Sequence, residues 1–393
     1  MNYKPFPKYI PFSPPWITAK EENAVLDTLR SSWITTGPKT TRFEEAVAKY
    51  VHNKHGVATF SCTDAMHISL KALGVKEGDE VITSPFTFAS TAHVICYHRA
   101  KPVFVDVDPD TFNIDPQLIE KKITKRTKVI LPVHFGGQPA EMDEIKIIAK
   151  KHKIRIMEDA AHAIGAEYKG KKIGSIGDIT CFSFYATKNI TTAEGGMAVT
   201  SDPDWARRMR ILTMYGISDA RQIWHNRYSK KGGIHYDVCE LGYKCNMTDI
   251  CASLGLEQLK RLDYFNNIRE QYANIYDLAF RDKAVLTTPI IRPYVKSARH
   301  LYPLLLNLDY FKITRDELVN VLKKNNIGTS VLFKPLHLHS YYSKSFGLKF
   351  GDFPVSENLF ERVICLPISP KLSKSAIKQI ADAILYFTNK YKR

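Results

Sequence analysis

Between about residue 17 and residue 285 the chain alternates between short apolar runs and stretches of helical periodicity. The apolar runs include "GVATF", "DEVITSPF", "KPVFVDVD", "KVILPVHF", "IRIMED" and "ITCFSF". Between and before them lie "ITAKEENAVLDTLRSS", "TRFEEAVAKYVHNK", "TDAMHISLKALGV", "ASTAHVICYHRA" and "AEMDEIKIIAKKHK", with Pro38 placed to open the second of these helices. Strands alternating with helices of this length predict parallel βαβ units, and so an α/β fold whose sheet is covered by helices on both faces. Beyond residue 248 the pattern changes. "TDICASLGLEQLKRLDYFNNIREQYANIYDLAF" reads as one long helical stretch capped by Thr248. "LYPLLLNL", "IGTSVLF" and "VICLPI" then read as strands, and "TRDELVNVLKKNN" and "SKSAIKQIADAILYFTNKYK" as helices. The expected organisation is a large α/β domain over residues 1–255, with a mostly parallel sheet, and a smaller α+β domain over 256–393.

Composition removes several function classes. With 44% apolar and 24% charged residues the 393-residue chain is globular in character. No apolar run approaches the roughly 18 residues that span a bilayer. The opening "MNYKPFPKYIPFSPPWITAKEE" is broken by prolines and lacks the continuous apolar core of a secretory leader, so a cytoplasmic protein is expected. Seven cysteines form no C-x-x-C pair, and the even spacing of Cys239, Cys245 and Cys251 is not that of a zinc site; free thiols and no metal are expected. The formal charge of +16 is spread along the chain without aromatic interleaving. It reads as a lysine-rich surface with a local contribution from a phosphate-bearing substrate, and not as a nucleic-acid face.

The chemistry-bearing residues cluster at strand ends. Lys188, in "FSFYATKNITTAEGG", follows the apolar run "ITCFSF". A lysine desolvated there loses its proton easily and can form a Schiff base with an aldehyde; taken alone it reads as a surface cation. Asp159 closes the strand "IRIMED", where open α/β sheets bind ligands; taken alone it reads as a helix cap. Together the two suit pyridoxal 5'-phosphate (PLP), with Asp159 keeping the ring nitrogen protonated. Ser61, Cys62 and Thr63 lie between a strand and a helix, where backbone N–H groups favour a phosphate, and Ser183 adds a hydroxyl. Phe88 follows another strand and is placed to lie over an aromatic ring. No G-x-G-x-x-G follows a strand, which excludes a nicotinamide-linked α/β enzyme.

Set in order, "WITTGP", "SCTDAMH", "SPFTFASTAH", "EDAAHAIGA", "SFYATKNITTAEGGM", "LGYKCNMTDI" and "FKPLHLHSYY" resemble the DegT/StrS group of PLP-dependent sugar-nucleotide aminotransferases over nearly the whole chain. The resemblance implies the fold type I architecture and a homodimer with shared active sites. It implies transfer of an amino group from glutamate, which leaves as 2-oxoglutarate, to a nucleotide-linked keto sugar. A 4-keto-6-deoxy hexose aminated at carbon 4 or carbon 3 is expected, for an amino sugar or a surface glycan. By the same resemblance Lys188 carries the cofactor and shuttles the proton, Asp159 pairs with the ring nitrogen, and His162 sits beside the ring hydroxyl. Phe88 stacks on the ring, and Ser61, Cys62, Thr63 and Ser183 surround the phosphate. Thr36, Gly37, Tyr185 and His337 approach the sugar substrate. Lys244 reaches the neighbouring subunit's cofactor. Four positions depart from the usual pattern: Cys62 replaces glycine, Lys244 asparagine, Asn246 arginine, and Tyr185 the frequent histidine. Two other activities fit the residues less well. A sister dehydratase carries histidine where this chain has Lys188, and an idle PLP-fold binding protein would not need Lys188, Asp159 and Ser183 together.

Overall fold

A computed structural model describes residues 4–218, 220, 223 and 235–393. Seven strands form the main sheet: β1 (His55–Thr59), β2 (Glu80–Thr83), β3 (Lys101–Phe104), β4 (Thr127–Leu131), β5 (Arg155–Asp159), β8 (Ile179–Ser183) and β9 (Gly196–Thr200). A short hairpin, β6 (Glu167–Tyr168) and β7 (Lys171–Lys172), interrupts the series. The strand order is β1-β9-β8-β5-β4-β2-β3. Only β9 runs against the others, pairing antiparallel with both β8 and β1. The carboxyl ends of β1, β2, β5 and β8 therefore emerge on one edge.

Period-two alternation explains how the sheet is buried. Ile130, Ile156 and Phe182 belong to one apolar cluster, while Val129, Met157 and Cys181 belong to another. Successive residues point to opposite faces, and both faces are apolar because helices cover each side. The helix Ala19–Arg30 starts at Thr18, whose N–H and hydroxyl meet the Glu21 carboxylate at 2.8 and 2.5 Å. Pro38 occupies the first turn of the helix Pro38–Tyr50, as its fixed φ favours.

The expected long helix after Thr248 is broken in two, Asp249–Leu259 and Leu262–Phe280. The Arg261 N–H bonds the Gln258 carbonyl at 3.0 Å, three residues back, which tightens the chain out of the α-helical ladder. Its guanidinium reaches Glu21 at 2.9 Å and lies over the Trp16 and Phe265 rings, so tertiary contacts overrule local periodicity. Along the second helix Leu262 and Phe265 pack beneath the main sheet, whereas Tyr272, Tyr276 and Phe280 enter a separate core. That core includes residues of β10 (Leu286–Thr287), β12 (Tyr302–Leu306), β13 (Val363–Leu366) and the helix Lys374–Lys390. A short β11 (Val295–Lys296) pairs with β6 instead. The predicted strand "IGTSVLF" is absent. Residues 327–333 make only single bridges, Ile327 to Ile10 and Ser330 to Cys365, because Gly328 is pressed against the Ile10 backbone.

Candidate active site

At the carboxyl edge of the sheet lies a cavity of about 500 Å³. Ser61, Cys62, Thr63, Phe88, Asp159, His162, Ser183, Tyr185 and Lys188 all line it. They come from the carboxyl ends of four strands, β1, β2, β5 and β8, that are distant in sequence and open on one edge of the sheet.

Lys188 sits on the turn after β8, with its N–H bonded to the Tyr185 carbonyl at 2.9 Å. Among the described residues its Nζ has no hydrogen-bond or ion-pair partner. Burial draws the ammonium down to about 8, against the opposing pull of Cys62 and Asp159. Asp159 ends β5, and burial raises its carboxyl above the usual range. Thr91 Oγ1 donates to its Oδ2 at 2.7 Å and the Ala161 N–H to its Oδ1 at 3.1 Å, so each oxygen keeps a lone pair free.

The residues beyond β1 form a helix N-terminus that could hold an anion. Ser61 caps the helix Cys62–Ala72, accepting from the Asp64 N–H at 3.0 Å and donating to the Asp64 carboxylate at 2.8 Å. The Ser61 hydroxyl is thereby committed, leaving the first N–H groups of the helix and the Thr63 side chain for a phosphate. A Cβ on Gly196 would lie 2.3 Å from the Ser61 carbonyl carbon and 2.5 Å from the Cys62 nitrogen. Glycine at that position lets β9 run directly beneath the turn. Cys62 is the first helical residue and is not among the residues with positive φ, so the exchange of glycine for cysteine carries no backbone strain.

His162 is buried and neutral. Burial and the Lys188 charge hold it well below its usual pKa, and its Nδ1 accepts from the Gly136 N–H at 3.3 Å. The remaining proton is on Nε2, available as a donor. Phe88 is 63% exposed because it walls an open cavity, 6.2 Å from the Phe333 ring.

These groups fit PLP. A buried carboxylate with open lone pairs suits the ring N–H, a free amine the aldehyde, and a helix N-terminus floored by glycine the phosphate.

Four expected residues lie elsewhere. Thr36, Gly37 and Lys244 belong to an adjoining network: Lys244 Nζ donates to Asn246 Oδ1, Asn246 Nδ2 to Thr36 Oγ1, and Thr36 Oγ1 to the Met247 carbonyl at 2.5 Å. The Gly37 N–H is held by Asp249 at 2.9 Å. His337 is completely buried, bonded to Glu357 at 2.7 Å and packed on Phe353, so its ring does not meet the cavity where a substrate contact was expected. Sequence reasoning missed Thr91, His300, Ser13 and Phe333. Thr91 was legible in principle, three residues beyond Phe88 on the helix Ala89–Tyr97. His300 carried no periodic signal.

A sheet of this topology, with a desolvated lysine and a carboxylate facing one cavity beside an anion turn, defines a fold type I PLP-dependent enzyme. The chain belongs to the DegT/DnrJ/EryC1/StrS aminotransferase family, which matches residues 15–385. It is 47% identical over 377 residues to the spore coat polysaccharide biosynthesis protein SpsC of Bacillus subtilis, covering 96% of each chain. It is 39% identical over 388 residues to the UDP-4-amino-4-deoxy-L-arabinose–oxoglutarate aminotransferase of Shewanella sediminis, covering 96% of this chain and 97% of that one. The PLP form of Spr1654 from Streptococcus pneumoniae superposes with a TM-score of 0.89 at 36% identity, covering 97% of this chain and 99% of that one. The protein is thus a sugar aminotransferase that uses PLP. No helix among the described residues is long and apolar enough to cross a membrane.

Proposed function

We propose that the enzyme moves an amino group from glutamate to the keto carbon of a nucleotide-linked sugar, in two half-reactions through one site. A 4-keto-6-deoxy hexose with the new amine at carbon 4 or carbon 3 is the substrate we favour. The observation that carries this reading is that the Lys188 amine, unpartnered among the described residues, and the buried Asp159 carboxylate line one cavity. The Shewanella relative is named for a UDP-linked 4-amino sugar and oxoglutarate, which supports both the nucleotide and the donor.

PLP supplies an aldehyde and an electron-accepting ring; the protein's residues do the rest. Lys188 Nζ, unprotonated at mildly alkaline pH, would hold the cofactor through its aldehyde and, once released, would serve as the base that moves a proton in the cavity. Asp159 stays ionised against the ring nitrogen, oriented by Thr91 and Ala161. The N–H groups at the start of Cys62–Ala72, with Thr63 and Ser183, would hold the phosphate, Phe88 would cover the ring, and His162 Nε2–H would meet its oxygen. Tyr185, 47% exposed in the cavity lining, would meet the sugar.

The same reading includes a homodimer. Phe60, Phe88, Tyr215 and Leu241 leave 48%, 63%, 50% and 81% of their surfaces exposed around the cavity and the adjoining Lys244 segment. A second copy seated there would bring its Thr36–Gly37 loop and Lys244 toward the neighbour's cofactor and sugar.

Purified protein with PLP is expected to absorb visible light, to bleach on adding glutamate, and to recover its colour on adding the accepting keto sugar. Assays over a panel of nucleotide ketosugars identify the acceptor. Cofactor binding without bleaching by glutamate would favour an idle binding protein instead.

A further inference from the structure

His162 and His300 stack in the cavity wall with ring centroids 4.4 Å apart and planes 29° apart. Two glycines make this stacking possible. Gly136 and Gly137 have φ of 62° and 96°, and their carbonyls accept from the Leu301 and Ala298 N–H groups at 3.1 and 2.9 Å. A Cβ on Gly137 would stand 3.0 Å from both the His300 nitrogen and the His162 carbonyl oxygen. The segment carrying His300 is thus clamped against the turn that follows β5.

Backbone groups fix the proton on each ring. For His162 the Gly136 N–H points at Nδ1, which must accept. For His300 the constraint arrives through two buried amides. The Ile164 carbonyl accepts from Asn266 Nδ2 at 3.1 Å, which turns Asn266 Oδ1 toward Asn189. Asn189 Nδ2 donates to that oxygen at 2.7 Å and to the Ala298 carbonyl at 2.8 Å. Asn189 can then offer His300 only its oxygen, which meets His300 Nδ1 at 2.9 Å, so Nδ1 carries the hydrogen. Neither ring's Nε2 has a protein partner among the described residues, and neither is sealed from the cavity.

We infer that the two rings form a preset pair of opposite tautomers, His162 presenting an Nε2–H donor and His300 an Nε2 acceptor, with Asn189 and Asn266 as the residues that position the acceptor. His162 takes an anionic oxygen. His300 takes an N–H of the substrate amine, which enters the cavity that both rings and Lys188 line. This assignment rests on the proposed amino transfer. Burial, His162, Lys188 and Arg269 all disfavour a charge on His300, which keeps the acceptor lone pair available. Arg269 approaches from behind, its guanidinium 3.5 Å from the His300 carbonyl oxygen.

The test is a nitrogen-15 spectrum of the histidine-labelled protein, with and without PLP, assigned through His162→Gln and His300→Gln variants. Protonated Nδ1 with bare Nε2 is expected for His300, and the reverse for His162, across neutral pH. An imidazolium or the opposite tautomer at either ring would overturn the pair. In Asn189→Ala the oxygen that holds the His300 Nδ1–H is gone, and the His300 nitrogen-15 signals should shift toward a mixture of tautomers. An unchanged Nδ1–H signal in a variant that still binds PLP removes the positioning role. Should the cofactor reading itself fail, no visible absorbance develops, while the histidine spectra still report both tautomers.

Discussion

Thr91 Oγ1 donates to Asp159 Oδ2 at 2.7 Å, and the Thr87 hydroxyl lies 2.9 Å from the same Oγ1. The carboxylate proposed to stay ionised against the ring nitrogen is therefore oriented by a hydroxyl from a different βα unit. A hydrogen bond to a charged group is worth about 1.5–3 kcal/mol. Thr91→Val is expected to lower kcat roughly ten- to hundredfold with a smaller change in KM, while Thr91→Ser keeps most of the rate. Steady-state kinetics on both variants check this. Asp159→Asn should lose more than Thr91→Val, because it removes the charge itself.

Gly196 is the floor of the anion turn. Any side chain there must displace the Ser61–Cys62 backbone, since the clashing atoms are main-chain and have no rotamer to yield. Gly196→Ala is expected to weaken PLP binding by at least about tenfold, as the displaced N–H groups lose their aim at the phosphate. Spectroscopic titration with PLP measures it.

Lys188 sets a pH dependence. With the ammonium at about 8, the amine fraction grows as pH rises through that value and saturates above it. The rate at which cofactor-free protein captures PLP should rise with pH through about 8 and then level. Stopped-flow absorbance across a pH series gives the midpoint; a midpoint near the ordinary lysine value would show the amine to be solvated.

Glu21 ties acid stability to the helix break. Burial alone would raise its carboxyl, but Thr18, Arg261 and Gln258 overcome that and hold it at about 2, below the reference 4.5. The folded pKa is the lower one, so the contribution is complete above 4.5 and is lost as pH falls toward 2. Melting curves of Glu21→Gln against the parent should differ most near neutral pH and converge in that acid window.

Much of the fold was legible because strand and helix periods differ and the alternation is long. What failed was local pattern overruled by distant contacts. The run from Thr248 to Phe280 is helical in period throughout, yet Arg261 leaves the ladder to meet Glu21 and Trp16. "IGTSVLF" has strand composition, yet Gly328 is fixed by the N-terminal segment and only single bridges form. The location of Lys188 and Asp159 in one cavity was legible because strand ends place them, and a strand end can be read from hydrophobicity. His300 and Asn189 were not, since their roles come from tautomers imposed by amides far away in sequence. His337 misled, because its neighbour Glu357 lies on a helix that no local spacing relates to it.

The most direct test of the central claim, that Lys188 is the amine holding the cofactor, is borohydride reduction of the PLP-loaded protein followed by peptide mass mapping. The account predicts a single pyridoxyl adduct on the peptide containing Lys188, absent when glutamate is added first. An adduct on another lysine, or a coloured protein that yields none at Lys188, would contradict it.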